Sequence, residues 1–214
     1  MAFSTVLLDL DGTITNPYMG ITNGVMYAYE HLGLEVPPRE SLRSFIGPPL
    51  IVEFTRRGMP EEQAQEAVRL YREYYGETGL FENELIPGTV EFLTELKRRG
   101  KRVCLATSKP EKFSVRILEK FGVDKYFDFI GAASFDSSRS SKLAVIQYVL
   151  ENTGAKPEEC LMVGNDATED MAAREVGMDV FLLTDCLINA KNRDLNAYPR
   201  GDFAALNTYI DALQ

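Results

Sequence analysis

Residues 6–13, Val-Leu-Leu-Asp-Leu-Asp-Gly-Thr, constrain this chain more than any other stretch. Val6, Leu7 and Leu8 form a continuous apolar run that starts on a β-branched residue, the pattern of a strand buried on both faces. Side chains alternate across a strand, so Asp9 and Asp11, at i and i+2, leave it on the same side. Two like charges at the edge of a core repel, and they persist where a cation, a proton or a charge-changing reaction uses them. Gly12 lets the backbone approach a ligand and offers amide N–H groups to an anion. An acid pair, a cation and anion-binding amides together describe a phosphoryl-transfer site. Two plainer readings compete. Asp-Gly is a common turn, and Asp-x-Asp-Gly opens some calcium loops. An EF-hand loop needs its glycine at the sixth position, which here is Ile14.

At 214 residues the chain has room for one full domain and a smaller insert. After Thr15-Asn16-Pro17, the residues Ile21, Val25, Ala28, Tyr29 and Leu32 recur at helical spacing. Short helices follow toward Phe45 and through Phe54. A longer one opens at Pro60-Glu61, with Ala64, Ala67, Val68, Tyr71 and Tyr75 on one face. Residues 16–84 therefore read as an all-helical domain inserted after the first strand. From Ile86-Pro87-Gly88 onward helix and strand alternate, with strands expected at 102–106, 127–132, 160–163 and 179–183. Helices are expected at 90–97, 112–121, 142–150, 167–176 and 203–212. This alternation predicts an α/β fold: a doubly wound, Rossmann-like parallel sheet formed by residues 1–15 and 85–214.

The net charge of −9 disfavours nucleic-acid polymers and anionic membranes as partners. No run of about 18 apolar residues occurs and no basic lead-in precedes the first strand, so a cytoplasmic location is expected. Cys104, Cys160 and Cys186 are widely spaced and odd in number, which reads as buried reduced thiols rather than a disulfide framework or a metal site. His31 is the sole histidine and lies in a helical pattern far from the acids, which argues against serine-hydrolase chemistry. The composition leaves monomer and homodimer equally open.

Ligands of a doubly wound sheet bind beyond the carboxyl ends of its strands. Thr107-Ser108-Lys109-Pro110 follows one strand and is expected to open a helix, with hydroxyls and N–H groups suited to a phosphoryl oxygen; an ordinary N-cap is the plainer reading. Ser141-Lys142 also stands at a helix start, where the macrodipole disfavours a lysine. Turned inward, Lys142 would neutralise phosphate and carboxylate together; a solvated lysine is the alternative, and Arg139 is a weaker candidate for the same field. Gly164-Asn165-Asp166-Ala167-Thr168-Glu169-Asp170 follows a later strand. Asp166 can join Asp9 in an oxygen cage for Mg²⁺, with Asp170 or Glu169 behind it.

Asp9-x-Asp11-Gly12-Thr13, Thr107, Lys142 and Asp166-x-x-x-Asp170, in that order, resemble the four motifs of the haloacid dehalogenase-like hydrolase superfamily. The helical insert resembles its C1-type cap. The segments Asp11–Pro17, Gly20–Ala28, Phe45–Leu50 and Thr107–Pro110 are similar to the branch holding phosphoglycolate-phosphatase-like and 5′-nucleotidase-like enzymes. Two departures stand out: Asn165 adds a residue before the metal-binding acid, and Asn16 replaces an acid. The resemblance implies a phosphoric monoester hydrolase with Asp9 as nucleophile and Asp11 as acid and base. It implies Mg²⁺ held by Asp9, the Asp11 carbonyl, Asp166 and Asp170, and a small phosphorylated metabolite as partner. Phosphate would be met by Gly12, Thr107, Ser108, Lys109 and Lys142, and Arg43, Phe45 and Gly47 of the cap are the specificity candidates, with packing an equal option for Phe45. A dehalogenase has no use for Asp11. A β-phosphoglucomutase-like enzyme shares every core motif. A phospho-accepting receiver domain shares the acids, hydroxyl and lysine but is about half as long and lacks a cap.

Overall fold

The computed structural model describes residues 3–136, 138–184, 195 and 198–212. Its strands are β1 (Thr5–Leu8), β2 (Thr15–Asn16), β3 (Glu84–Leu85), β4 (Arg102–Pro110), β5 (Phe129–Ala133), β6 (Cys160–Gly164), β7 (Asp179–Leu183) and β8 (Arg200–Gly201). Its helices are α1 (Tyr18–His31), α2 (Leu50–Arg56), α3 (Glu61–Glu77), α4 (Thr89–Arg98), α5 (Glu111–Phe121), α6 (Lys142–Thr153) and α7 (Phe203–Ala212). The chain divides into two compact units, Met1–Thr15 with Leu85–Gln214, and Asn16–Glu84. It leaves and re-enters the larger unit through the paired two-residue strands β2 and β3.

The larger unit is a six-stranded sheet in the order β5-β4-β1-β6-β7-β8, parallel at every pairing. The apolar run at residues 6–8 is thus the strand from which the chain winds both ways. One face carries Leu7, Cys104, Met162, Val180 and Leu182, packed with Val145, Ile146 and Val149 of α6. Val6, Leu8, Val103, Leu105 and Phe181 point the other way and are equally buried. There Phe181 meets Tyr209 of α7, and Phe203 of α7 stacks on Phe92 of α4. Gly131 of β5 lets α6 come close, since a β-carbon there would stand 2.2 Å from Val149 Cγ2. Cys104 and Cys160 are buried free thiols in β4 and β6; Cys186 lies outside the described residues.

Three local expectations change. Strand β4 does not stop at Ala106 but runs to Pro110, with a register shift between Thr107 and Pro110. A residue before proline is kept out of the helical region, so Lys109 stays extended and α5 starts only at Glu111. Thr107 is accordingly not a helix cap. The element expected from Ala167 starts later, as a 3₁₀ turn over Asp170–Val176. Asp166 Oδ1 takes the amides of Thr168 and Glu169 at 2.7 and 3.0 Å, a local turn that competes with helix. Strands β2, β3 and β8 are two residues each, too short to show a period.

The smaller unit is helical. Gly24 of α1 faces Tyr71 of α3 closely enough that a β-carbon would lie 2.9 Å from the ring. Ile21, Val25, Ala28, Ala64, Ala67, Tyr71 and Tyr75 are buried, as their spacing predicts. No described helix is long and apolar enough to cross a membrane.

Candidate active site

The carboxyl ends of β1, β4 and β6, neighbours in the sheet, lead into the acids and Lys109, and Lys142 joins them from the start of α6. Asp9 follows Leu8 directly, and its amide donates to Val163 O of β6 at 3.0 Å. That bond holds the ends of β1 and β6 side by side, with Asp9 on one and Gly164-Asn165-Asp166 on the other.

Lys142 is the hub. It is the first residue of α6, whose Ser141 cap accepts from the Ala144 amide at 3.2 Å. The ammonium lies 2.7 Å from Asp9 Oδ1 and 3.0 Å from Asp170 Oδ1, and donates to Ala106 O at 3.1 Å. Its side chain is 3% exposed. Burial alone would drive such a lysine toward neutrality, but Asp170 and Asp9 outweigh it and hold the ammonium above its ordinary range. Burial pushes Asp170 up to about 7, with Lys142 opposing and Asp9 adding to the rise. Asp170 Oδ2 accepts the Asp166 amide at 2.8 Å, which fixes the loop that carries Asp166. Gly164 makes this possible: a β-carbon there would sit 1.9 Å from Asp170 Oδ2.

Asp11 is held separately. Lys109 Nζ meets its Oδ2 at 2.5 Å, while Oδ1 is buried and makes no hydrogen bond among the described residues. The Lys109 ammonium is thus paired with a carboxylate. Ser108 Oγ donates to Glu169 Oε2 at 2.9 Å, and burial raises the Glu169 carboxyl. Thr107 is buried, and its Oγ1 accepts the Lys109 amide at 3.2 Å.

Gly12 has a different use from the one expected. Its amide donates to Thr15 O at 2.6 Å, and those of Thr13, Ile14 and Thr15 all turn back to Leu10 O. The Gly12 amide is therefore consumed in its own turn, whose φ of +81° suits glycine. Asn165 fills the space above it and accepts from Thr13 Oγ1 at 3.4 Å. The inserted Asn165 was visible in the sequence; its partner, 152 residues away, was not.

The donor set suits a small hard cation. Asp9 and Asp170 lie against the Lys142 ammonium and Asp11 against that of Lys109. Asp166 and Glu169 stand on the loop after β6, and Asp11 Oδ1 has no hydrogen-bond partner among the described residues. Among the described residues no three His, Cys, Asp or Glu side chains form a ready-made cage. Asp170, expected as a ligand, has Oδ1 3.0 Å from the Lys142 ammonium and Oδ2 on the Asp166 amide.

The haloacid dehalogenase-like hydrolase family model matches residues 6–183. The chain belongs to this family. A 5′-nucleotidase of Pseudomonas aeruginosa is 38% identical over 179 residues, 83% of this chain and 81% of the relative. The tyrosine-protein kinase PtkA of Mycobacterium tuberculosis is 35% identical over 178 residues, 83% of this chain but 61% of the relative. The crystal structure of a predicted phosphatase from Clostridium acetobutylicum superposes with a TM-score of 0.90 at 34% identity, covering 100% of both chains. In this family member the core motifs converge at one sheet edge. The cap candidates belong to the helical unit. Phe45 is 1% exposed and packs edge-on against Phe54 at 4.8 Å, so it is a core residue of that unit. Arg43 lies 4.3 Å over the Tyr18 ring and pairs with Glu40, and Gly47 turns at φ +103°. A cavity of about 240 Å³ in that unit is lined instead by Asn16, Met19, Phe81, Glu82, Asn83 and Glu84.

Proposed function

We propose that this haloacid dehalogenase-like phosphatase is a Mg²⁺-dependent phosphomonoester hydrolase that works through an aspartyl-phosphate on Asp9. Its substrate is a small phosphorylated metabolite such as a nucleoside 5′-monophosphate or phosphoglycolate. The observation that carries this reading is the placement of Asp9: one oxygen is pinned by Lys142 while Asp11 stands two residues on with a buried, unbonded oxygen.

Asp9 attacks phosphorus, and the ester oxygen leaves with a proton from Asp11. Asp11 then takes a proton from the water that hydrolyses the aspartyl-phosphate. Lys142, already cationic and buried, offsets charge on the transferring group without reorganising. Thr107, at the bulge of β4, borders the same edge and supplies a hydroxyl to a phosphoryl oxygen. Asp9, the Asp11 carbonyl and Asp166 would hold Mg²⁺, which when bound neutralises the phosphate and draws it to the carboxylates. The net charge of −9 supports a small anion gathered locally over an extended polyanion or a membrane.

The test is a Mg²⁺-supported phosphate-release screen across nucleoside monophosphates, phosphoglycolate and hexose phosphates, with product analysis to separate hydrolysis from phosphoryl migration. Asp9→Asn abolishes release while the protein still melts cooperatively; a folded, active Asp9→Asn enzyme overturns the assignment. Isomerised hexose phosphate without free phosphate supports the mutase reading instead.

A further inference from the structure

We propose that Lys109 is the positioning residue for Asp11, fixing its carboxylate through Oδ2 so that Oδ1 is the oxygen that exchanges the proton. This rests on the hydrolase reading above and adds to it a residue outside the acid, hydroxyl and lysine positions of the four motifs.

The two Asp11 oxygens stand in unlike environments. Oδ2 meets the Lys109 ammonium at 2.5 Å, whereas Oδ1 is buried without a hydrogen bond among the described residues. A buried acceptor left unpaired is costly, and such atoms persist where a partner arrives during function. The lysine is itself set in place. Its side chain is 8% exposed, its amide is bound to Thr107 Oγ1, and Pro110 keeps its backbone extended at the end of β4. A lysine this confined has lost most of the rotamer freedom that makes surface ion pairs weak.

The two half-reactions then use one oxygen. In the first, an Asp9 oxygen bonds to phosphorus and the bond from phosphorus to the ester oxygen breaks. Its electron pair stays on the leaving oxygen, which takes the proton from Asp11 Oδ1. In the second, water oxygen bonds to phosphorus, its proton passes to Oδ1, and the electron pair of the breaking bond returns to Asp9. Lys109 stays an ammonium throughout and gives up no proton. A lysine that instead bound phosphate would assist every ester alike, because all carry the same phosphoryl group.

Leaving-group dependence separates the two. The full-length enzyme and its Lys109→Met and Lys109→Gln variants are compared by kcat/KM on the best alkyl monophosphate from the screen and on 2,4-dinitrophenyl phosphate or acetyl phosphate, whose leaving groups need little protonation. Lys109→Met lowers the alkyl value by about 10- to 100-fold, within what general acid catalysis contributes. The loss on the activated ester is at least about tenfold smaller, and Lys109→Gln, which keeps one N–H donor, recovers part of the alkyl rate. Equal losses on both esters, or none, in either folded variant overturn the proposal while leaving the hydrolase reading intact. A wild-type enzyme that releases phosphate from no alkyl monophosphate overturns the hydrolase reading itself.

Discussion

Gly12 and Asn165 compete for one volume: a β-carbon on Gly12 would stand 2.1 Å from Asn165 Nδ2, and Gly12 already has φ +81°. Two penalties therefore meet in Gly12→Ala, a steric one and a left-handed backbone, the latter about 1–3 kcal/mol. Shortening Asn165 to alanine relieves the first and not the second. The double variant Gly12→Ala/Asn165→Ala is expected to be more stable than the sum of the two single losses by about 0.5–3 kcal/mol, as for residues in contact. Urea unfolding of all four proteins measures it. Strict additivity would show that the two loops do not share this space.

Much of this architecture is legible because its signals are local. The buried run at 6–8 and the helical periods at 18–31 and 61–77 each appear within 17 residues or fewer, and the alternation after Pro87 is a succession of such short runs. Lys142 was legible too, since a lysine at a helix start works against the dipole unless something inward draws it. What escaped is pairing across sequence distance. Nothing near Lys109 in the sequence names Asp11, 98 residues away, as its partner. Gly12 was given to an anion because the Thr15 carbonyl that takes its amide depends on how the turn closes. The end of β4 was misplaced because hydroxyls before a proline look alike at a cap and at a bulge.

Lys142→Met leaves Asp9 and Asp170 buried without their cation. Removing one partner of a buried ion pair costs about 3–5 kcal/mol near neutrality. The pH dependence has a definite sign. The lysine's folded pKa is raised, so its stabilisation is full below the ordinary lysine value of about 10.4 and is lost as pH rises through the folded value. Asp170, pushed up to about 7, binds a proton more readily folded than unfolded, so stability falls as pH rises from about 4 toward 7. Without Lys142, which opposes the rise, the Asp170 carboxyl becomes harder to ionise and the fall steepens. The deficit of the variant should therefore grow between pH 5 and pH 8 in urea titrations; a constant deficit would mean the lysine acts by packing alone.

Burial in the sheet pushes the Cys104 thiol up to about 12 and Cys160 to about 11. The thiolate is the reactive form, and both groups are protonated and screened at pH 8. In a Cys186→Ser background, a disulfide-exchange reagent should titrate no thiol in the native protein and two in guanidinium. Rapid native labelling would place one of them at the surface.

The last expectation concerns the cation. Asp9, Asp11, Asp166, Glu169 and Asp170 follow β1 and β6, and the proposed Mg²⁺ would be held among them. Chelation with EDTA should abolish phosphate release, and excess Mg²⁺ should restore it. Ca²⁺ is larger and tolerates looser, higher coordination, so the phosphate would bind without being aligned for attack by Asp9. Ca²⁺ should therefore inhibit in competition with Mg²⁺, which titration of the two ions against each other reads directly. Asp166→Asn should raise the Mg²⁺ concentration needed for half-maximal rate, because it removes a charge from the ion's surroundings while keeping the side chain's shape. Asp170→Asn, which loosens the hold on Lys142 and the Asp166 loop, should instead lower the maximal rate at saturating Mg²⁺. If the two variants exchange these behaviours, Asp170 is the ligand and Asp166 the support.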